Sequence, residues 1–317
     1  MARLVTRRSR VVAVVVAVYI AIVVVVSFHF GISLSPDRVV LLIAIAALAT
    51  GRVRQFLKDW SIFLIILLAW QILSGMSRNI GHIKPHVTEM INVDRLIFGG
   101  HLPTLWLQHH FYTPGQIHWY DIGATVLYMM HFAFPLIIAF ALWYWRRPVF
   151  LEFMVAFLIL SLAGFATFVL FPAAPPWIAA DWWHKFPHVY RIFSIATHAI
   201  GPQQSFSFLY KWMWQHGGWD LFGAVPSEHA AFPLLCFFYA RRVWPRLAML
   251  ILPYCACVWV AVIYLGEHYA TDVIAGVAYA TVTYIVMAHV IAPAWTSKPA
   301  DGGVNQTGDR TVESVPA

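Results

Sequence analysis

Long apolar runs, separated by short polar or basic stretches, make up most of this chain. A helix that is apolar all round has no face to offer water, so a run of about 20 such residues reads as a membrane span. The pattern predicts a valine-rich helix ending near Leu34, a shorter apolar stretch over 39–51 and a third segment over 59–75. Five more follow, over 120–145, 148–171, 228–242, 244–265 and 268–291. The 39–51 stretch is short for a span, so six to eight transmembrane helices are expected. The first run exceeds about 20 residues and has no obvious small-residue cleavage site, which favours a retained anchor over a signal peptide.

Two longer regions do not fit a span. Residues 76–119 carry Arg78, Lys84, His86, Asp94 and Arg95 and mix apolar residues with breakers such as Gly99, Gly100 and Pro103. Residues 172–225 open on Pro172-Ala173-Ala174-Pro175-Pro176-Trp177 and hold Trp182, Trp183, Trp212, Trp214 and Trp219. Tryptophan favours the headgroup level, so both regions are expected to form a cap with short interfacial helices. The Gly-, Asp-, Thr- and Ser-rich residues after Ala294 are expected to be disordered. The predicted fold is an all-α polytopic membrane helix bundle: an N-terminal hairpin (1–58), a core (59–293) and a cytoplasmic tail (294–317).

Composition supports that class, since 61% of the 317 residues are hydrophobic and 11% charged, against about a quarter charged in soluble domains. The net charge of +7 would suit a nucleic-acid partner. The basic residues instead cluster between apolar runs, as topology signals do, so the expected partners are the bilayer and a lipid substrate. With eight spans and the N-terminus inside, the cytoplasmic turns and both termini hold fourteen of the twenty-one basic residues, including Arg52, Arg54, Arg146, Arg147, Arg241 and Arg242. The bias places both termini in the cytoplasm and residues 76–119 and 172–225 outside. Cys236, Cys255 and Cys257 lie in apolar segments without metal-ligand spacing and read as packing residues. Nothing in the sequence fixes an oligomeric state.

Against this background two blocks concentrate ionisable groups: Gly223-Ala224-Val225-Pro226-Ser227-Glu228-His229 and Tyr264-Leu265-Gly266-Glu267-His268-Tyr269-Ala270-Thr271-Asp272. Such groups are costly inside a membrane and tend to mark function there. If a helix starts near His268, that residue and Asp272 stand four apart on one face, where a carboxylate fixes the imidazole tautomer. A turn at Pro226 aims Ser227 and backbone N–H groups toward His229. The set fits nucleophilic catalysis at phosphorus: one imidazole attacks, the carboxylate orients it, and the second imidazole protonates the departing oxygen. Two other classes stay open on the residues alone. Histidines and carboxylates also ligate zinc, although no third strong ligand is indicated, and membrane histidine with aspartate also builds proton relays in transporters. The lack of an inverted repeat and the gathering of the polar set at one face count against a transporter.

Pro226-Ser227-Glu228-His229, followed by Tyr264-Leu265-Gly266 and His268-Tyr269-x-x-Asp272-x-x-x-Gly276, resembles the second and third signature motifs of the type 2 phosphatidic acid phosphatase superfamily. Further segments resemble the branch of fungal inositol phosphorylceramide synthases and their bacterial relatives: Asp94 to Gly100, Leu102 to Gln108, Tyr128 to Phe132 and Phe171 to Trp177. The resemblance covers roughly residues 65–290. It implies transfer of a phosphorylated head group such as inositol phosphate, or hydrolysis of a phospholipid or polyprenyl phosphate, at the surface of a bacterial plasma membrane, and the charge bias puts that site on the outer face. It implies His268 as nucleophile, Asp272 as its orienter and His229 as general acid, with neither cofactor nor metal; Ser227, Arg191, His131 and Tyr269 are the expected substrate-binding residues, His131 reading equally as a polar helix contact. Two departures stand out. The superfamily's Ser-Arg at the start of its third motif is Ala261-Val262 here, and its Lys-x6-Arg-Pro first motif is not visible. Phosphate charge must then be met by other cations, of which Arg191, Lys185, Arg78 and Lys211 lie in the right loops. Arg191 is preferred because a planar fork suits phosphate.

Overall fold

The computed structural model describes residues 36–61, 63–65, 84–131, 133–200 and 221–296, and the elements named within them are all helices. The first valine-rich run, most of the third apolar segment, residues 201–220 and those beyond 296 lie outside these residues. α1 (Pro36–Ala49) and a helical stretch over 53–61 precede two cap helices, α2 (Thr88–Ile97) and α3 (Pro103–Phe111). Next come α4 (Trp119–Met129), α5 (Ala133–Trp145) and α6 (Arg147–Leu170), followed in the second cap by α7 (Pro176–Asp181) and α8 (Ile192–Ile200). α9 (Glu228–Val243), α10 (Pro245–Ala248), α11 (Ile251–Tyr264) and α12 (Ala270–Val286) complete the bundle, with a π-helical turn (Met287–Ile291) and α13 (Ala292–Thr296) after them.

Among the described residues three stretches are long and apolar enough to cross a membrane: Arg147–Leu170, Pro245–Tyr264 and Ala270–Ala294. α6, with 24 residues, reaches about 36 Å at a rise of 1.5 Å per residue, against ~30 Å of hydrocarbon. α1, with 14 residues, reaches only about 21 Å. The run expected as one span over 120–145 is broken, α4 and α5 meeting at 52°. Pro135 accounts for the break: it has no N–H for the carbonyl four residues back, that of His131, and its ring crowds that carbonyl.

The direction of the helices follows from two contacts. Arg242, near the end of α9, pairs with Glu152 near the start of α6, while Glu228 at the start of α9 packs over Gly164 toward the end of α6. α6 and α9 are therefore antiparallel, and the bundle has a basic end and a histidine end. At the basic end Arg147 holds Asp59 with two bonds of 2.6 Å, and the Trp143 indole N–H donates to the same carboxylate at 3.0 Å. Beside it Trp60 stacks between Phe56 and Phe150. Lipid is as apolar as leucine, so helices in a bilayer associate through packing and close approach. Gly276 of α12 provides such an approach, since a Cβ there would run into the Ser227 carbonyl oxygen at the start of α9.

At the histidine end the cap is joined by main-chain bonds. The Ala173 N–H donates to Phe222 and the Ala224 N–H to Ala173, while His86 exchanges bonds with Pro172 and Ala174. The Gln108 side chain of α3 donates to the Tyr190 and Tyr264 carbonyls and accepts the Tyr190 N–H, all within 2.8–2.9 Å. That amide pins the second cap to the end of α11. The turn that follows needs Gly266, whose φ is +80° and whose missing side chain leaves room for Val189 and Tyr190.

Candidate active site

Two helix starts meet at this end. Ser227 is the N-cap of α9, so His229 falls in the first turn, and Tyr269 is the N-cap of α12, so His268 stands just before it. The Ser227 N–H donates to the Asp272 carbonyl at 2.9 Å, locking the two starts together at the point where Gly276 permits contact. His268 is buried, and His229 half-buried.

His268 Nδ1 lies 3.0 Å from the Ala224 carbonyl oxygen. A carbonyl only accepts, so Nδ1 carries the proton and Nε2 presents its lone pair. Nε2 in turn lies 3.2 Å from His229 Nδ1, which is then the donor of that bond. The His229 ring is clamped between Tyr128 at 4.1 Å and His131 at 4.0 Å, both stacked on it, with Phe232 beyond His131. Tyr128 lies in the last turn of α4 and His131 in the break before α5, so the break delivers the clamp.

Asp272 lies beside His268 as expected, but the helix starts later than expected. The helix begins at Ala270, two residues after His268, so the pair does not share a helical face. Asp272 Oδ2 stands 3.6 Å from His268 Nδ1, too long for a hydrogen bond but close enough to place negative charge beside it. The hydrogen bond that fixes the tautomer comes from Ala224, while Asp272 Oδ2 accepts the Tyr269 N–H at 2.8 Å.

The other expected site residues fall into two groups. Ser227 and His131 lie at the dyad, and the Ser227 hydroxyl is fully buried without a partner among the described residues. Arg191 stands over the Trp177 ring at 4.2 Å and donates through Nε at 2.8 Å to Glu267, the residue before His268. Tyr269 turns its ring into the apolar cap cluster with Val87, Met90 and Ile178, so its placement is that of a packing residue. Lys185 is exposed, and Arg78 and Lys211 lie outside the described residues. Glu228 is buried against Gly164 and Glu267 pairs with Arg191, so neither merely faces water.

Three contributors were missed from the sequence. The Ala224 carbonyl carries no side-chain signal. Tyr128 had one only as part of a family segment. Asp94 had a legible signal: it continues the Val87, Met90, Ile91 stripe of α2, where a carboxylate is out of place. It is fully buried and accepts the N–H of Thr271 at 2.9 Å and of Ala270 at 3.2 Å, capping α12 from outside the helix. Burial pushes its carboxyl up from the ordinary range, and the bonds from Thr271 and Ala270 oppose that rise.

The chain is 27% identical over 174 residues to a phosphoinositol dihydroceramide synthase of Bacteroides thetaiotaomicron, covering 53% of this chain and 56% of that protein. It is 29% identical over 163 residues to an inositol phosphorylceramide synthase of Candida albicans, covering 49% and 33%. It is 26% identical over 234 residues to the inositol phosphorylceramide synthase catalytic subunit aur1 of Schizosaccharomyces pombe, covering 70% and 52%. The chain thus spans between a third and somewhat over half of the length of these relatives. No solved structure matches it significantly. The PAP2 superfamily model matches residues 88–286, which hold α2 through α12 and both histidines, and the chain belongs to that superfamily.

Proposed function

We propose that the protein is a membrane lipid phosphotransferase that moves a phosphorylated head group, most simply inositol phosphate, from a phospholipid to a lipid alcohol through a phosphohistidine. The observation that carries this reading is the imidazole pair, His268 Nε2 at 3.2 Å from His229 Nδ1, with the far nitrogen of His268 already engaged by Ala224. One ring is thereby prepared as a nucleophile and the other as a proton donor. Superfamily membership and the names of the relatives support the substrate class.

In the reaction His268 Nε2 forms a bond to phosphorus as the bond from phosphorus to the glycerolipid oxygen breaks, and His229, entering as the imidazolium, gives that oxygen a proton and becomes the neutral ring. The head-group phosphoryl then resides on His268. In the second step the acceptor hydroxyl passes its proton to His229 and attacks phosphorus, the P–N bond breaks, and the dyad returns to its first state. Asp272 stabilises the cationic His268 ring during both steps, and Arg191, with Ser227 at the start of α9, meets the phosphate charge. The dyad lies at the end of α9 opposite Arg241 and Arg242, and the arginine distribution supports chemistry on the extracytoplasmic face. A cysteine at Pro187 that labels only from the cytoplasmic side would refute that orientation.

The test of the mechanism is rapid quenching with phosphatidylinositol labelled in the inositol, in excess EDTA. The expected product is an acid-labile, base-stable adduct on His268 that retains inositol, and ceramide as acceptor discharges it. An adduct carrying bare phosphate from phosphatidate, discharged by water alone, would make the protein a lipid phosphatase. Turnover that EDTA abolishes and zinc restores, with no adduct, would overturn the phosphohistidine.

A further inference from the structure

α2 buries Met90 and Ile91 as an ordinary surface helix would, but a carboxylate shares that inward face. It turns Asp94 inward, fully buried, and leaves Leu96 83% and Ile97 51% exposed on the outside. The inward carboxylate does not meet a cation: both of its oxygens receive backbone N–H groups of α12, from Ala270 and Thr271. These two donors belong to the same turn as Asp272 and follow directly on His268 and Tyr269. From the opposite side the Ser227 N–H holds the Asp272 carbonyl. The turn is therefore gripped between the cap and α9.

We infer that Asp94 is a positioning residue for the transfer reaction, the cap-side anchor that sets the first turn of α12, and with it the His268 ring, at attacking distance from the phosphoryl group. This rests on the reading of His268 as nucleophile. The physical case has three parts. Charge-assisted bonds from a carboxylate to the N–H groups of a helix start are strong and directional. Because the partner is main chain, Asp94 fixes the position of the turn irrespective of the side chains there. Asp94 also occupies the positive end of α12 with a fixed carboxylate, so substrate phosphate is left the start of α9, where His229 and Ser227 stand.

Asp94→Asn keeps the shape but swaps one acceptor for an amide that cannot accept, and Asp94→Ser keeps one acceptor in a smaller side chain. Each variant is compared with wild type in mixed micelles of inositol-labelled phosphatidylinositol and ceramide, with adduct formation followed by rapid quench. The expected result is a burst rate lowered about 10- to 100-fold, with burst amplitude per folded molecule unchanged and KM within about threefold, because the nucleophile is displaced while the substrate site persists. A merely structural role would lower the amplitude in proportion to folded protein and leave the rate of the remainder intact, and that result in either variant overturns the inference. So does a burst rate equal to wild type. An active His268→Ala in the same assay would instead defeat the underlying mechanism, so the two failures are distinguishable.

Discussion

The two ends of the bundle hold two of their carboxylates by different means, although the Arg191–Glu267 pair puts a guanidinium at the histidine end as well. At the basic end Asp59 and Glu152 are answered by guanidinium groups, Arg147 and Arg242, in direct ion pairs. At the histidine end Asp94 and Asp272 are answered by main-chain N–H groups at the start of α12. An ion pair uses up both charges, whereas an N–H cap holds a carboxylate in place and leaves its charge available to a neighbour. The first arrangement suits an end that has only to stay closed. The second suits the proposed mechanism, in which the His268 ring becomes cationic, since Asp272 keeps its field on that ring at 3.6 Å.

If that contrast is right, the largest loss follows removal of the histidine that the caps serve. His268→Ala should lower turnover by a factor on the order of 10³ or more, measured as labelled inositol transfer, with the detergent-solubilised protein still monodisperse. Asp272→Asn should fall less, and the double variant should be no worse than His268→Ala, because the two groups act as one unit. Gly276→Ala tests the contact between helix starts: the added methyl meets the Ser227 carbonyl, and the expected cost is roughly 1–3 kcal/mol in stability with a parallel loss of activity. The smallest effect on chemistry belongs to the other end. Arg147→Ala strands the Asp59 carboxylate and should cost roughly 1–2 kcal/mol by thermal denaturation, while kcat per folded molecule stays at the wild-type value. A kcat defect in Arg147→Ala without a stability defect would mean that the two ends are not separate in function.

Much of this was legible because the membrane simplifies the code. Apolar runs gave α6, α11 and α12, and ionisable residues stranded in such runs marked His229, His268 and Asp272. What stayed hidden was carried by groups without a side-chain signature or by small offsets in register. Starting α12 at Ala270 instead of His268 is a shift of two residues, yet it takes the hydrogen bond to the His268 ring away from Asp272 and gives it to Ala224. Pro135 was visible, but a proline inside an apolar run says only that a helix is disturbed; that the break would lay Tyr128 and His131 on either side of His229 depends on packing that no local pattern encodes. Asp94 was readable in principle, since its stripe on α2 is apolar, but its partner lies 176 residues away.

The hold of Ala224 on His268 has a consequence for inheritance. A side-chain orienter is lost by a single base change, and a family that relies on one must conserve that codon. A carbonyl belongs to every residue type, so substitution at position 224 leaves the acceptor in place provided the chain path is kept. That path is fixed by the Ala224 N–H on Ala173 and by the Ala173 N–H on Phe222, again main chain on main chain. Lesions that damage tautomer control should therefore arise chiefly from prolines at 173 or 224, which delete these N–H groups, while other small residues at the buried position 224 leave the proton of the proposed nucleophile on the same nitrogen.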